Sequence, residues 1–173
     1  MTRRTSTVVL IMVMTVMLLG MRISGADVWR SATQKELKTW IPARAPVIKE
    51  RIEIEARTAS GIVDSEGRYV AGAVLITAGY SANGKYSNFL ITEIPLKIGT
   101  ASLQPGQYVF GWHRVNDSLQ VSFYEAASGR FLGNVEANRD DTHRRIESFQ
   151  ILPPSENSLM LIGRFGFHYR FSK

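Results

Sequence analysis

Histidine is the first residue type to examine for chemistry, because it is the commonest general acid or base in enzymes. The chain has only three, His113, His143 and His168, and it has no cysteine. It also lacks the Gly-x-Ser-x-Gly elbow of serine hydrolases and a glycine-rich phosphate loop. An enzyme built on this sequence would therefore need a histidine–carboxylate site that only the folded chain assembles.

A second group of chemical interest is Asp140, Asp141 and His143, whose oxygen and nitrogen atoms could bind a metal ion. Arginines stand on both sides of these residues in the same segment, and their positive charge opposes cation binding. We therefore interpret residues 138–145 as a charged surface loop. The sequence predicts neither a metal nor an organic cofactor.

Aromatic residues alternate along one segment as Tyr108, Phe110 and Trp112. Together with Arg114 they could form a stacking platform for sugars or bases. Three large residues on one strand face more commonly form a core, since each buries about 150–250 Å². We predict a core, in which Trp112→Ala would cost about 3–5 kcal/mol of stability.

If the chain binds a ligand, the sequence favours loops at strand ends, where binding residues concentrate on β scaffolds. Two such places stand out: the end of the aromatic segment and the surroundings of the Asn83-Gly84 turn. The candidate ligand-binding residues are Trp112, His113, Arg114, Tyr80, Asn83 and Tyr86. The sequence assigns no catalytic residue and leaves the choice between the two places open.

The elements that must position these residues are β-strands, because apolar and polar residues alternate with a period of two. The segment from Leu103 to Val135 predicts a three-strand meander, with turns at Pro105-Gly106, Asn116–Ser118 and Ser128-Gly129. Proline presets φ and glycine accepts positive φ, so these pairs suit tight turns.

Further strands are predicted on both sides of the meander. Ile48, Ile52, Ile54 and Ala56 share one parity, which predicts one half-buried antiparallel strand. Asp64–Gly67 and Asn83-Gly84 are predicted to be hairpin turns, and Pro95 predicts an edge or a bulge within a strand from Tyr86 to Ile98. The final strand is predicted to be one continuous alternation whose aromatic residues point inward; the residues of that alternation are Leu159, Leu161, Gly163, Phe165, Phe167, Tyr169 and Phe171.

These patterns predict an all-β fold, an antiparallel β-sandwich or small β-barrel of about eight or nine strands. A signal peptide and one short helix precede it. Thr33 and Glu36 have capping-box spacing, so the helix begins there and ends before Pro42. The predicted division is residues 1–26 as a secretory signal peptide, 27–46 as a lead-in with the helix and a proline-containing linker, and 47–173 as a single antiparallel β domain.

The signal peptide is predicted from Arg3-Arg4, a run of twelve mainly apolar residues from Val8 to Leu19, and the small residues Ser24-Gly25-Ala26. The run is shorter than the roughly 20 apolar residues of a spanning helix. The competing interpretation is an uncleaved membrane anchor. Export through a cleavable signal predicts a periplasmic or extracellular location.

The charge balance argues against a nucleic-acid partner. The chain has 21 basic and 15 acidic residues, and Arg3, Arg4 and Arg22 fall within the predicted signal peptide. The remainder has 18 basic residues and a net charge of +3. That surface is only mildly basic and has no long block of like charge.

One pair of segments resembles a known family. Residues 61–74 resemble the opening hairpin of carboxypeptidase-regulatory-like sandwich domains, and residues 103–108 are similar to their late turn. That resemblance implies a small transthyretin-like sandwich used as a non-catalytic accessory module. The stretch between the two segments is longer than in that family and further hairpins follow Val135, so the chain is not assigned to it.

The function predicted from the sequence is that of an exported, non-catalytic β domain acting as a binding or interaction module. Its expected partner is a small apolar ligand, which a barrel could enclose, or another protein. Two alternatives stay open: a small eight-stranded outer-membrane barrel, suggested by length and by the aromatic last strand, and an enzyme with a fold-assembled histidine–carboxylate site.

Overall fold

Residues 28–77, 85–142 and 145–172 are described by the computed structural model. The predicted signal peptide, the Asn83-Gly84 turn with Tyr80, and His143 lie outside these residues. The described part contains thirteen strands: β1 (Arg30–Ser31), β2 (Arg44–Val47), β3 (Glu50–Val63), β4 (Tyr69–Leu75), β5 (Asn88–Thr92), β6 (Leu96–Ile98), β7 (Ala101–Leu103), β8 (Gly106–Val115), β9 (Ser118–Glu125), β10 (Phe131–Arg139), β11 (Gln150–Ile151), β12 (Leu159–Ile162) and β13 (Phe165–Phe171). A helix, α1 (Gln34–Trp40), and a short 3-10 helix (Pro154–Glu156) complete them.

The strands form one antiparallel sheet that curls until its ends nearly meet. Its order is β1-β3-β4-β5-β8-β9-β10-β13-β12-β11, with β2 added to β3 and the β6–β7 hairpin added to β13. At the closing seam, the backbone N–H of Ile151 in β11 donates to Ser60 Oγ in β3 at 2.9 Å. The predicted fold class, an all-β antiparallel sandwich or barrel, is confirmed. The strands outnumber the prediction because several have only two to four residues.

Helix α1 has the predicted capping box. The Thr33 hydroxyl accepts from the backbone N–H of Glu36 at 3.3 Å, and Glu36 accepts from the backbone N–H of Thr33 at 2.7 Å. Hydrogen bonds from Arg30, then from Thr33, lower the pKa of Glu36 to about 2. The helix packs the buried Leu37 toward β3.

Large apolar side chains fill the space enclosed by the sheet. Phe110, Phe123, Phe167 and Tyr169 are fully buried, with ring centroids 5.1 Å apart for Phe110–Phe123 and 6.0 Å for Phe123–Phe167. The hydroxyl of Tyr169 donates to Leu152 O at 2.6 Å, and burial raises its pKa. The enclosed space is therefore a core of closely packed side chains.

A second apolar layer lies outside the sheet. The β2–β3 hairpin covers the outer face of β4, β5 and β8, burying Val47 and Ile54 with Ala73, Phe89 and Val109. Because of this cover, β8 is buried on both faces from Tyr108 to Gly111. The lead-in predicted from the sequence thus contributes a strand, β2, to the sheet.

Two segments predicted as single strands are hairpins instead. Ile48 and Lys49 form the turn between β2 and β3, and Ile48 has a φ of 57° and is largely exposed, so it does not share the buried face of Ile52. Gly163 and Arg164 form the turn between β12 and β13. The turn changes which alternate residues face the core. Leu159 and Leu161 therefore pack with Leu152 in a separate cluster and do not join Phe167 in the core.

The Asp64–Gly67 turn is confirmed, and the carboxylate of Asp64 organises it. Its side chain is fully buried and accepts from the backbone N–H groups of Glu66 at 2.9 Å and Arg68 at 2.8 Å, and from Arg68 Nε at 2.6 Å. Burial alone would raise the pKa of Asp64, but these hydrogen bonds together hold it below its usual value.

The prediction that Trp112 belongs to the core is wrong, because Trp112 is 41% exposed. Its register partner is the buried Val121, so Trp112 lies on the inward face of β8 but at the open rim, beyond the packed interior. Phe171, also predicted to face inward, is 37% exposed at the end of β13 and stacks on Trp29 with ring centroids 4.4 Å apart.

The sheet divides where β13 changes partner. β13 pairs with β10 only through Asn138–Gly166 and Arg139–Phe165, and from Tyr169 onward it pairs with β6. The tip of the β6–β7 hairpin enters the gap between β10 and β13. There the backbone N–H of Thr100 donates to Asn134 O at 2.9 Å, and the backbone N–H of Asn134 donates to Thr100 Oγ1 at 2.8 Å.

Candidate functional site

The gap between β10 and β13 forms a groove on the outer surface, which we call the fork groove. Its volume is about 740 Å³. The residues that define it here are Val135, Glu136 and Asn138 of β10, Gly166, Phe167, His168 and Arg170 of β13, and Lys97 and Gly99 of the β6–β7 hairpin. It closes at one end where β10 and β13 pair, and at the other end the hairpin tip meets β10.

Strand alternation brings polar side chains to this groove. Phe167 and Tyr169 are buried in the core, so His168 and Arg170, one position along, lie on the outer face and are exposed. In β10, Ala137 is buried while Glu136 and Asn138 are exposed. Both strands therefore use one face for the core and the other for the groove.

Lys97 and Arg170 are direct register partners on β6 and β13. Residues directly opposite in an antiparallel pair lie on the same face, and like charges placed so are unfavourable. Lys97 Nζ donates to Thr100 O and to Ser102 Oγ, each at 3.0 Å. Arg170 makes neither a hydrogen bond through its side chain nor an ion pair with any described residue.

His168 lies between this pair and the closed end of the groove. Its Nδ1 is 3.0 Å from Asn157 O. A carbonyl oxygen only accepts hydrogen bonds, so Nδ1 carries a proton and Nε2 is the nitrogen left for another partner. The predicted enzyme alternative needs a histidine beside a carboxylate, whereas the polar contact that the structure gives His168 is with a carbonyl.

Carboxylates also line the groove, but most of them already have partners. Asp141 accepts from Arg139 Nε at 3.0 Å, and Asp140 accepts from the backbone N–H and the hydroxyl of Thr142. Glu136 stands alone on the β10 wall, with no ion pair to a described residue. Among the described residues, no three His, Asp or Glu side chains are grouped in a way that could hold a metal ion.

The predicted group Trp112, His113 and Arg114 divides between two faces of β8. Arg114 shares the inward side with Trp112, and its guanidinium lies 5.8 Å from the centre of the Phe165 ring. Its Nε also donates to Asn116 O at 3.0 Å, which ties it to the adjacent turn. His113 is opposite Gln120 on the outer face and is exposed.

The second predicted group is represented among the described residues by Tyr86 alone, since Tyr80 and Asn83 lie outside them. Tyr86 is buried in the outer apolar layer, and its ring meets that of Tyr124 edge-on at 5.5 Å. Its hydroxyl has no hydrogen-bond partner among the described residues. The structure thus places Tyr86 on the outer face, away from the inward side that Trp112 and Arg114 share.

Sequence reasoning missed the fork groove. His168 and Arg170 stand two positions apart on the predicted last strand, so they share one face. Nothing in the sequence indicated that Lys97, more than seventy positions earlier, would be the register partner of Arg170. That juxtaposition arises from the change of strand partner along β13, which has no local sequence signal.

Comparison of the chain with protein-family models, curated proteins and solved structures returned no match. Within the described residues, no helix is long and apolar enough to span a membrane.

Proposed function

We propose that this chain is an exported, non-catalytic β domain that acts as a binding module and holds a polar ligand in the fork groove. The observation that carries the proposal is the contrast between a filled interior and an open outer groove. Phe110, Phe123 and Phe167 are buried and pack against one another in the enclosed space, where the apolar ligand considered from the sequence would have to lie. The groove, by contrast, offers about 740 Å³ beside exposed polar groups.

Export is part of the proposal and is supported by the signal-peptide pattern of residues 1–26. The distribution of side chains favours a domain surrounded by water over the outer-membrane barrel. A membrane barrel turns an apolar band outward, whereas β10 and β13 turn Glu136, Asn138, His168 and Arg170 outward and keep apolar residues inside.

Native mass spectrometry tests this proposal. The exported protein would be purified without detergent, mixed with the low-molecular-mass fraction of its host's periplasm or culture medium, and weighed intact. The proposal predicts a retained extra mass. Asn138→Trp, on the exposed wall of the groove, should abolish retention, while Arg51→Trp, an exposed β3 residue that does not line the groove, should preserve it.

Two outcomes would contradict the proposal. A mass retained equally by Asn138→Trp would move the binding site away from the groove. A clean unliganded mass for the unaltered protein would exclude a small ligand from this fraction and direct the search to protein partners.

A further inference from the structure

We infer that the fork groove recognises an oxyanion, a phosphate or carboxylate group, through Lys97 and Arg170. This inference rests on the proposed function and adds the chemical class of the ligand. It depends on three features of the groove: the number of unused hydrogen-bond donors, the placement of like charges, and the separation of the cationic wall from Glu136.

The wall formed by β6 and β13 has more donors than acceptors. An ammonium has three N–H donors and a guanidinium five, and neither can accept. Lys97 uses two donors, on Thr100 O and Ser102 Oγ, and Arg170 uses none on any described residue. With Nδ1 donating to Asn157 O, Nε2 of a neutral His168 is an acceptor, so the donors of this wall are those of Lys97 and Arg170. A group made only of acceptors is the complement to this wall, and oxyanions are such groups.

The position of the charges also points to an anion. Lys97 and Arg170 face each other in register on adjacent strands, where repulsion between them lowers the stability of the pair. An anion bound between the two would replace that repulsion by two attractions. Hydrogen bonds between charged groups are also shorter and stronger than neutral ones, and an arginine can bind an oxyanion with two parallel N–H donors.

Among the described residues, the groove contains no anionic partner for Lys97 and Arg170. Glu136 is the one carboxylate lining the groove that has no described partner, and it lies on the opposite wall, in β10. No ion pair joins it to Lys97, His168 or Arg170. The gap between β10 and β13 therefore keeps the cations and this carboxylate apart. The groove has room for a ligand between its two walls.

Nuclear magnetic resonance titration with inorganic phosphate tests the inference. The ¹⁵N-labelled protein would be titrated at constant ionic strength, with chloride as the balancing anion. The amide signals of Lys97, Gly99, His168 and Arg170 should shift together and saturate. A parallel titration with acetate distinguishes a phosphate-selective groove from one that accepts any oxyanion; shifts at these residues with either probe support the inference.

Substitutions then identify the groups responsible. Arg170→Met and Lys97→Met should each weaken phosphate binding about tenfold or more, as expected for the loss of a charge-assisted hydrogen bond. Glu136→Gln should tighten it about threefold by removing a nearby negative charge. Arg51→Met, which removes an exposed cation of β3 that does not line the groove, should leave it unchanged. Circular dichroism confirms that each variant is folded.

Several results would overturn the inference. One is a set of shifts confined to another region, such as the surroundings of Arg114; another is an affinity unaffected by Arg170→Met and Lys97→Met. If neither anion binds but a host molecule is retained and then lost on Asn138→Trp, only the oxyanion inference fails. If neither anion binds and no molecule is retained, the proposed binding function fails as well.

Discussion

The core and the fork groove are formed by opposite faces of the same strands, and they differ in how completely their side chains are satisfied. On the inner face of β13, Tyr169 is buried and its hydroxyl is bonded to Leu152 O. On the outer face one position away, Arg170 has no partner among the described residues. The difference shows that one strand can pack the core and expose an unpaired polar group at once, because alternation separates the two faces by a single residue.

Neighbouring residues of β13 give the sharpest test of this separation. Phe167→Ala should lower the free energy of unfolding by about 3–5 kcal/mol, because it opens a cavity in the packed core. His168→Ala removes one hydrogen bond on the exposed face and should cost about 1 kcal/mol or less. Urea denaturation of both variants measures the difference. Equal losses would show that the two faces are not energetically distinct.

The junction between core and groove is the tip of the β6–β7 hairpin. Gly99 has a φ of 53°, and a Cβ placed there would overlap the carbonyl of Asn134 and the side chain of Val135. Gly99→Ala should therefore cost about 3 kcal/mol, from left-handed strain and from steric overlap. Urea denaturation gives the loss. Ser102→Ala, an exposed change in the neighbouring strand, should alter stability far less.

Asp64 is a buried carboxylate outside both regions. It tests whether a fully hydrogen-bonded polar group contributes to stability as a core side chain does. Asp64→Ala should cost about 2 kcal/mol, because the backbone N–H groups of Glu66 and Arg68 lose their acceptor.

The same carboxylate predicts a direction of pH dependence. A lowered folded-state pKa contributes stability above the unfolded pKa, and this contribution is lost as pH falls through the folded value. The unaltered protein should therefore lose stability on acidification more steeply than Asp64→Asn below about pH 4. Parallel curves of unfolding free energy against pH would contradict the assigned hydrogen bonds.

The open rim of β8 is intermediate between core and surface. Trp112→Ala should cost about 1 kcal/mol, well below the cost of truncating a buried aromatic residue, since Trp112 is 41% exposed. Thermal denaturation of this variant and of Phe110→Ala provides the comparison. Phe110 lies two positions earlier in β8 and is fully buried. A loss as large as that of Phe110→Ala would restore the core assignment made from the sequence.

The smallest expected effect on stability is at Arg170. Arg170→Met should leave stability unchanged or raise it by about 0.3 kcal/mol, because it removes a like charge opposite Lys97. A clear loss of stability would show that Arg170 holds the sheet together, and that its role is structural.

Much of the fold could be predicted because the relevant signals are local. The Thr33–Glu36 capping box and the turns at Asp64–Gly67 and Ser128-Gly129 involve residues within a few positions of one another. The Gly163–Arg164 turn was missed for a physical reason. β12 is buried on both faces and all four of its residues are apolar, so the change of facing at the turn left no break in the pattern.

The candidate site could not be predicted to the same degree. Trp112 and Arg114 were correctly assigned to a strand with alternating faces, but the alternation does not indicate where a strand leaves the packed interior. The residues of the fork groove depend on pairings between β6, β10 and β13, which are distant in sequence. Such pairings are determined by the closure of the whole sheet.

The β6–β7 hairpin has a consequence for how this groove could change its preferences. Because its tip, Gly99-Thr100, forms one end of the groove, the number of residues in the hairpin determines how far the groove extends along β13. Each residue added to both strands would advance the tip by about 3.3 Å. Insertions and deletions at this single turn would thus set the length of ligand that the proposed site accepts, while Arg170 and the core remain as they are.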